Sequence, residues 1–330
     1  MYTFSPAVFS RKRPPRQQTS LMFSLVITTV LGLVPGPRVD GSPPPAPESS
    51  AAQSWTTQSP AAEPSASPAA TALPDGAPSS SPSTLAQPSA PQPSGGGGLL
   101  LGNDVSWPQC NKALPKDPAF AIVGVNNGLA NTTNPCLHQQ LDWAEDSLGG
   151  TGQPAVALYV NTANPGTAGT WWPTSNEYGG KTVANPYGEC REKQTDAPCS
   201  YMYGYAKAFD DAYLRSITNP EDYLWWLDVE TGNTWSGDKN ANRADLEGMA
   251  DFFDSIGATV GIYSTGSQWG QIVGQVTADS SLYDLPSWLA GARTATGAKN
   301  NCSATPLTPG GKVVLTQFVS KGFDYDYSCI

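Results

Sequence analysis

Residues 223–230 read Tyr-Leu-Trp-Trp-Leu-Asp-Val-Glu, an apolar run that ends in two carboxylates. An aromatic-rich run of this length between turn-forming residues predicts a buried strand. Side chains alternate along a strand, so Trp226, Asp228 and Glu230 share one face. Two carboxylates on one face repel each other, and we expect this repulsion to raise the pKa of one of them. One protonated acid beside one ionised carboxylate is the arrangement that glycosidic bond cleavage requires. The alternative is an acid pair in a solvated turn, but the strand is too apolar for a surface position.

The composition divides the chain into three segments. Residues 36–98 are rich in Pro, Ser, Ala and Gln and hold almost no large apolar residues. Such a segment cannot bury enough surface to offset the entropy of ordering it, so we predict a disordered linker. The remaining residues, 99–330, have the size of one large domain, and α/β barrels commonly have this size.

Residues 1–35 carry a pattern typical of export. A basic stretch at 11–16 precedes an apolar run at 21–34, as in a secretory signal peptide, and the run is too short for a comfortable transmembrane helix. The following residues are a poor cleavage site, so an uncleaved membrane anchor remains the alternative. The linker would then tether the domain to a membrane or carry it through a cell wall. We predict a secreted protein that is extracellular or associated with a cell wall.

The cysteines all lie in 99–330. An even number of cysteines behind an export signal predicts disulfide bonds. Many pairings are possible, and we favour bonds between sequence neighbours. These pairs are Cys110–Cys136, Cys190–Cys199 and Cys302–Cys329.

Charge and residue usage disfavour several other functions. The formal net charge is −10 and no basic patch is present, so we expect no nucleic-acid partner. His138 is the only histidine and no Cys-x-x-Cys motif occurs, which argues against a zinc site, although an all-carboxylate Mg²⁺ or Ca²⁺ site stays open. A Ser-His-Asp triad would need His138, which lies on a predicted helix. No phosphate loop or dinucleotide fingerprint is present. We expect a monomer without cofactor or metal.

Predicted strands and helices alternate along most of the domain, but its last part consists mainly of strands. Helices are predicted at 134–148, 201–217 and 241–256, with a shorter one at 268–273, whereas the last three strands leave little room for helices. The eight predicted strands are 102–106, 120–126, 155–161, 223–230, 259–264, 287–290, 312–319 and 323–327. Acidic residues recur at strand ends. We therefore predict a single-domain α/β fold, a TIM-like (β/α)5(β)3 modified barrel with its site at the C-terminal face.

Short motifs along this domain resemble those of one known family. They lie at 102–106 (Gly-Asn-Asp-Val-Ser), 226–230 (Trp-Leu-Asp-Val-Glu), 260–264 (Val-Gly-Ile-Tyr-Ser), 288–290 (Trp-Leu-Ala), 315–318 (Leu-Thr-Gln-Phe) and 324–326 (Asp-Tyr-Asp). In this order and spacing they resemble the motifs of glycoside hydrolase family 25, the secreted muramidases of the Chalaropsis-lysozyme type. The resemblance covers nearly all of 102–327.

The resemblance implies the same modified barrel and hydrolysis of the β-1,4 bond after N-acetylmuramic acid in peptidoglycan. Glu230 would be the proton donor. Asp228 would be the second carboxylate, which orients and charge-stabilises the N-acetyl group of the substrate as internal nucleophile or acts on water. Asp104 and Asp326 would complete an acidic cluster at the barrel mouth, with Asp324 as the alternative to Asp326.

A second set of residues is assigned to substrate binding. Five come from the strands and motifs: Trp226, Tyr263, Trp288, Asn126 and Gln317. The long insertion at 163–200 adds Trp171 and Trp172, whose rings would stack on sugar faces. Long loops in compact domains tend to be functional, but a small loop core pinned by a disulfide is the equally open alternative.

Two departures from the family pattern bear on function. The second strand ends in Val-Asn-Asn-Gly at 125–128, where the family has a Lys-Ala-Thr-Glu-Gly-like end. The third ends in Leu-Tyr-Val-Asn at 158–161, where the family has a Tyr-His-Phe-like run. We predict a secreted glycoside hydrolase acting on peptidoglycan or a related N-acetylated glycan. The alternative is a non-catalytic wall-binding module on a degenerate glycosidase barrel.

Overall fold

The computed structural model describes residues 100–330. The predicted signal peptide or anchor at 1–35 and the predicted linker at 36–98 lie outside the described residues. Within the described part, no helix is both long and apolar enough to cross a membrane.

All eight predicted strands are present, and an additional two-stranded hairpin lies in the insertion. The strands are β1 Leu101–Val105, β2 Ala121–Gly124, β3 Val156–Asn161, β4 Glu177–Tyr178, β5 Lys181–Thr182, β6 Leu224–Asp228, β7 Thr259–Ser264, β8 Ser287–Ala292, β9 Val313–Ser320 and β10 Phe323–Ser328. Strands β4 and β5 pair only with each other. The other eight close into a barrel, which confirms the predicted fold class.

The direction of the strands decides where the polar strand ends meet. Around the barrel the order is β1, β2, β3, β6, β7, β8, β9 and β10. Neighbours are parallel except at β10, which runs antiparallel to both β9 and β1. The C-terminal ends of seven strands and the beginning of β10 therefore form one rim. In this register Asp104 pairs with Asp324, and Asp228 lies between Asn161 and Tyr263.

Within residues 100–330, five α-helices cover the barrel: α1 Leu137–Glu145, α2 Ala197–Tyr213, α3 Lys239–Ile256, α4 Gly266–Ile272 and α5 Ala295–Asn301. Their placement corrects one detail of the prediction. Only a 3-10 turn, Trp107–Gln109, stands between β1 and β2, whereas α5 follows the sixth barrel strand, where no helix was expected. The segment of α5 buries only Ala298, so it lacks the apolar periodicity that would have indicated a helix. The Thr294 hydroxyl caps it by accepting from the Gly297 N–H.

Two apolar layers hold the barrel together and close its lower end. One lies between the strands and the helices, where Trp225 stacks on Phe253 with ring centroids 4.5 Å apart. The other fills the barrel interior and includes Trp226 and Trp288, whose centroids are 5.6 Å apart. The interior is thus a packed core, and only its upper rim is open to a ligand.

The three disulfide bonds pair sequence neighbours, as predicted. They are Cys110–Cys136, Cys190–Cys199 and Cys302–Cys329. The first ties the turn after β1 to the start of α1, the second ties the insertion to the start of α2, and the third ties the end of α5 to the C-terminus. Each bond therefore fixes a connection outside the barrel strands.

Candidate active site

A cavity of about 250 Å³ opens at the rim formed by the strand ends. Its walls combine acidic and aromatic side chains. The carboxylates are Asp104, Asp228, Glu230 and Asp324, and the aromatic residues are Trp107, Tyr159, Tyr263 and Trp288. The active sites of α/β barrels lie at this end of the strands.

The end of β6 is held firmly in place. Thr162 donates to the backbone oxygen of Asp228 through its N–H at 3.2 Å and its hydroxyl at 2.6 Å. The Ser264 hydroxyl donates to the backbone oxygen of Val229 at 2.7 Å. These bonds hold in place the backbone that carries the two carboxylates predicted from the sequence.

The Asp228 carboxyl is buried but only partly hydrogen-bonded. Asn161 Nδ2 donates to Asp228 Oδ2 at 2.9 Å, whereas Oδ1 has no hydrogen-bond partner within residues 100–330. Burial, followed by the negative charges of Glu230 and Asp104, raises the pKa of Asp228 well above its usual value, and the bond from Asn161 opposes this shift. The repulsion expected from the sequence is thus present, but burial contributes more.

Glu230 lies just beyond β6 and is half-buried at the cavity. Gln268 Nε2 lies 3.4 Å from its Oε1. The Trp235 indole N–H donates to its backbone oxygen at 2.8 Å. Glu230 is therefore more open to the cavity than Asp228, which is 5% exposed.

Asp104 is the centre of a hydrogen-bonded chain across the barrel interior. Gln317 Nε2 donates to Asp104 Oδ2 at 2.9 Å, and the Tyr263 hydroxyl donates to Gln317 Oε1 at 2.9 Å. Burial and the nearby Asp324 raise the pKa of Asp104 to about 7, against the bond from Gln317. The chain thereby fixes the orientation of the Tyr263 ring at the cavity wall.

Asp326 lies beneath the cavity, and Asp324 lies in its wall. The Asp326 carboxyl is fully buried, and its Oδ1 accepts from the Trp288 indole N–H at 2.9 Å. Burial, followed by the negative charge of Asp104, raises the pKa of Asp326 well above its usual value. Asp324 is half-buried, and it is the one of the two predicted alternatives that lines the cavity.

The predicted substrate-binding residues fall into two groups. Tyr263, Trp288 and Gln317 line the cavity. Trp226 and Asn126, which were also assigned to substrate binding, do not line it. Trp226 points inward as its parity predicted, but it precedes Asp228 by two positions and lies one layer deeper, where it is fully buried. Asn126 is 1% exposed and uses its side chain to link three segments: it donates to the Thr132 backbone oxygen and to Asp211 Oδ1, and it accepts from the Asn161 N–H.

The two tryptophans of the insertion lie away from the acidic cavity. The Trp172 indole N–H donates to the Gln194 backbone oxygen at 2.7 Å, and its ring stacks on Tyr203 with centroids 4.9 Å apart. Trp172 therefore belongs to the small core of the insertion. Trp171 remains 37% exposed and lines a separate cavity.

Sequence reasoning missed several residues at the acidic cavity, among them Trp107, Tyr159 and Asn161. Trp107 lies two residues beyond the end of β1 and is 46% exposed, Asn161 is the last residue of β3, and Tyr159 lies in the same strand as Asn161. Burial, with a smaller contribution from Asp104, raises the pKa of Tyr159. A signal was available for Trp107 and Asn161, since both occupy the C-terminal ends of predicted parallel strands.

No group of three or more His, Cys, Asp or Glu side chains in residues 100–330 is arranged to hold a metal ion. The residues that line the cavity offer a ligand hydrogen bonds, charges and aromatic surfaces. Several acids at the open end of an α/β barrel are typical of one class of proteins, in which carboxyl groups act on a bound ligand.

Comparisons with known proteins show which members of this class the chain resembles. A family model described as "Lysozyme-like protein 1" matches residues 199–303, a range that contains Asp228 and Glu230. A probable GH family 25 lysozyme 4 from Dictyostelium discoideum is 34% identical over 111 residues, which are 33% of this chain and 44% of that protein. A probable GH family 25 lysozyme 5 from the same organism is 32% identical over 123 residues, which are 35% of this chain and 54% of that protein. The matches confirm the resemblance to glycoside hydrolase family 25 that the motifs predicted, and they span about half the length of these curated relatives.

Solved structures of low sequence identity were also found. The muramidase from Trichobolus zukalii is 17% identical with a TM-score of 0.43, covering 70% of this chain and 93% of that one. A family GH25 lysozyme from Aspergillus fumigatus is 12% identical with a TM-score of 0.44, covering 69% of this chain and 93% of that one.

Proposed function

We propose that this chain is a glycoside hydrolase that cleaves a β-1,4 bond in peptidoglycan or a related N-acetylated glycan. The observation that carries the proposal is the pair Asp228 and Glu230, held on a rigid strand end in an acidic cavity at the open rim of the barrel. The similarity of residues 199–303 to lysozyme-like proteins supports it.

Glu230 acts as the general acid in this proposal. It gives its proton to the glycosidic oxygen as the bond from that oxygen to the anomeric carbon breaks. The acetamido oxygen of the substrate then closes on the anomeric carbon. In the second step, the Glu230 carboxylate takes a proton from a water molecule. The water oxygen bonds to the anomeric carbon as the bond from that carbon to the acetamido oxygen breaks, which restores the acetamido group. Its half-buried position gives Glu230 access to both the leaving oxygen and water.

Asp228 positions the acetamido group. Its Oδ1 is buried, has no hydrogen-bond partner within residues 100–330, and belongs to a cavity-lining side chain. An acetamido N–H would satisfy this oxygen, and the carboxylate would stabilise the positive charge that the group gains as it closes. Asn161 holds the other oxygen and so fixes the plane of the carboxyl group.

The remaining walls supply charge and shape. Asp104 and Asp324 place further negative charge near the reacting carbon, whose transition state has oxocarbenium-ion character. Trp107 and Tyr263 present aromatic surfaces against which sugar faces can pack.

Export to an oxidising compartment is part of the proposal. Three disulfide bonds support it, because such bonds persist mainly outside the cytosol. Residues 1–35 would direct export as a signal peptide or remain as an anchor, and residues 36–98 would act as the linker to the barrel domain at 99–330. The wall glycan would be the partner of the domain.

The test uses the purified full chain with peptidoglycan and with chitin oligosaccharides, and mass spectrometry detects new reducing ends. We expect muramic-acid-ended fragments from the parent protein and none from Glu230→Gln, which preserves the shape of the side chain. Equal activity of Glu230→Gln would overturn the assignment of the acid. Binding of the glycan without any product from the parent would identify a non-catalytic wall-binding module instead.

A further inference from the structure

A second cavity, of about 330 Å³, lies between the insertion and helix α2. Its walls include Asn131, Trp171, Tyr178, Lys207, Asp210 and Arg215. The loop after β2 borders both cavities, because Gly128 lines the acidic one and Asn131 lines the second. Three residues span at most about 11 Å of chain. The two cavities are therefore neighbours on one surface.

The aromatic wall of this second cavity is rigid and exposed. The Trp171 ring stacks on Tyr203 at 6.0 Å between centroids, and Lys207 Nζ lies 4.6 Å from the centroid of the Trp171 ring. The insertion that carries Trp171 is closed by the Cys190–Cys199 bond. A ring that is 37% exposed yet fixed by these contacts can bind a flat apolar face at little cost in conformational entropy.

The polar wall of the second cavity consists of ion pairs that retain unused hydrogen-bond donors. The Lys207 side chain is 8% exposed, and its Nζ lies 3.2 Å from Asp210 Oδ2. An ammonium group has three donors, and within residues 100–330 Asp210 is the only hydrogen-bond acceptor that Lys207 contacts. Arg215 pairs with Asp211 at 3.2 Å. Because the cations are already paired, the spare donors suit an uncharged ligand rich in oxygen atoms better than an anion.

We propose that this second cavity binds a hexopyranose unit of a glycan, with Trp171 against one face of the ring and Lys207 and Asp210 bonded to its hydroxyl groups. The aromatic surface would pack against the apolar face of the sugar ring, and the few fixed donors and acceptors beside it would bond to its hydroxyl groups. The site increases retention on a polymeric glycan. One glycan strand would occupy both cavities, and this part of the inference rests on the proposed function.

The test measures glycan binding in the Glu230→Gln background, where turnover does not consume the ligand. Isothermal titration uses soluble chitin oligosaccharides, and co-sedimentation uses insoluble peptidoglycan. We expect Trp171→Ala to weaken binding of at least one of these glycans about tenfold. Tyr213→Ala is the matched control, since Tyr213 is an aromatic residue that is 48% exposed and does not line the second cavity; its affinity is expected to equal that of the background.

A second variant protects the test against misfolding. Asp210→Asn keeps the size of the side chain but replaces an acceptor oxygen with a donor group, and we expect it to weaken binding of the same glycan several-fold. Thermal unfolding verifies that each variant is folded. Unchanged affinity of folded Trp171→Ala and Asp210→Asn for both glycans would overturn the inference.

The outcomes separate this inference from the proposed function. Binding that depends on Trp171, together with no product from the parent protein, would retain the second site and reject the hydrolase. Product from the parent, together with binding that does not depend on Trp171 or Asp210, would retain the hydrolase and reject the second site.

Discussion

Asn161 is expected to set the pH dependence of the proposed reaction through one hydrogen bond. Its Nδ2 donates to Asp228 Oδ2 at 2.9 Å, and this bond favours the ionised form of a carboxyl group whose pKa burial raises. Asn161→Ala removes the donor and leaves the backbone of β3 in place. The pKa of Asp228 is then expected to rise further.

The size of this shift follows from the strength of the bond. A hydrogen bond to a charged group contributes about 1.5–3 kcal/mol, and one pKa unit corresponds to about 1.4 kcal/mol. Loss of the bond should therefore raise the pKa of Asp228 by about one to two units. Because the proposed role of Asp228 requires its ionised form, the acidic limb of kcat/KM should move to higher pH by the same amount.

The assay is the pH profile of kcat/KM for glycan hydrolysis, supported by an NMR titration of the Asp228 carboxyl carbon that does not depend on turnover. Asn164→Ala is the matched control, because the Asn164 side chain also donates one hydrogen bond through its Nδ2, but to the Ser200 hydroxyl at 3.1 Å and not to Asp228. An unchanged titration of Asp228 in Asn161→Ala would refute the reasoning. A shift of equal size in the Asn164→Ala control would refute it as well.

Three further predictions concern stability. Gly204→Ala should lower the free energy of unfolding by about 1–3 kcal/mol in chemical denaturation, because a β-carbon there would overlap the backbone oxygen of Asp245. Asp245→Asn should gain stability relative to the parent as pH rises above about 4, by about 1.4 kcal/mol per pH unit. Burial raises the pKa of Asp245, so the folded parent retains a proton that its unfolded state loses, and denaturation at several pH values measures the difference. Replacing Cys190 and Cys199 with Ser should cost about 3 kcal/mol and increase cleavage of the insertion in limited proteolysis.

Each of these predictions has an internal comparison. Gly270→Ala lies in an exposed part of α4 where an added β-carbon meets open space, so it should gain up to about 1 kcal/mol from helix propensity. Equal stability of the Gly204 and Gly270 variants would contradict the predicted overlap. A stability difference between Asp245→Asn and the parent that stays constant with pH would contradict the buried neutral acid. For the cysteine pair, an unchanged proteolysis pattern would be inconsistent with a pinned insertion.

The pattern of apolar residues along the chain was sufficient to predict most strands and helices of the fold. The element that it missed has a physical explanation. All eight barrel strands were predicted, because buried strands carry dense apolar and aromatic residues. Helix α5 was missed because its short segment buries a single alanine. It is stabilised instead by the Thr294 cap and by packing against the barrel. The packing is a tertiary contact, so the sequence of the short segment does not reveal it.

The candidate site shows the same division. Asp228, Glu230 and Tyr263 were predicted at the cavity, since each lies at or near the end of a strand whose inward face is clear from alternation. Trp226 has the same inward parity as Asp228 but lies in the core below the cavity. Asn161 was overlooked, because its importance depends on the neighbouring strand that brings Asp228 beside it.

The class of fold and the inward faces of the strands could be predicted from the chain alone, and the disulfide pairs favoured there are the ones present in the structure. These features depend on apolar density, alternation and short separations along the chain. The depth of each inward-facing residue could not be predicted in this way: Asp324 lines the cavity, whereas Asp326 lies beneath it. The physical reason is that depth in a barrel depends on the tilt and stagger of neighbouring strands, which are set by pairing between residues far apart in the chain.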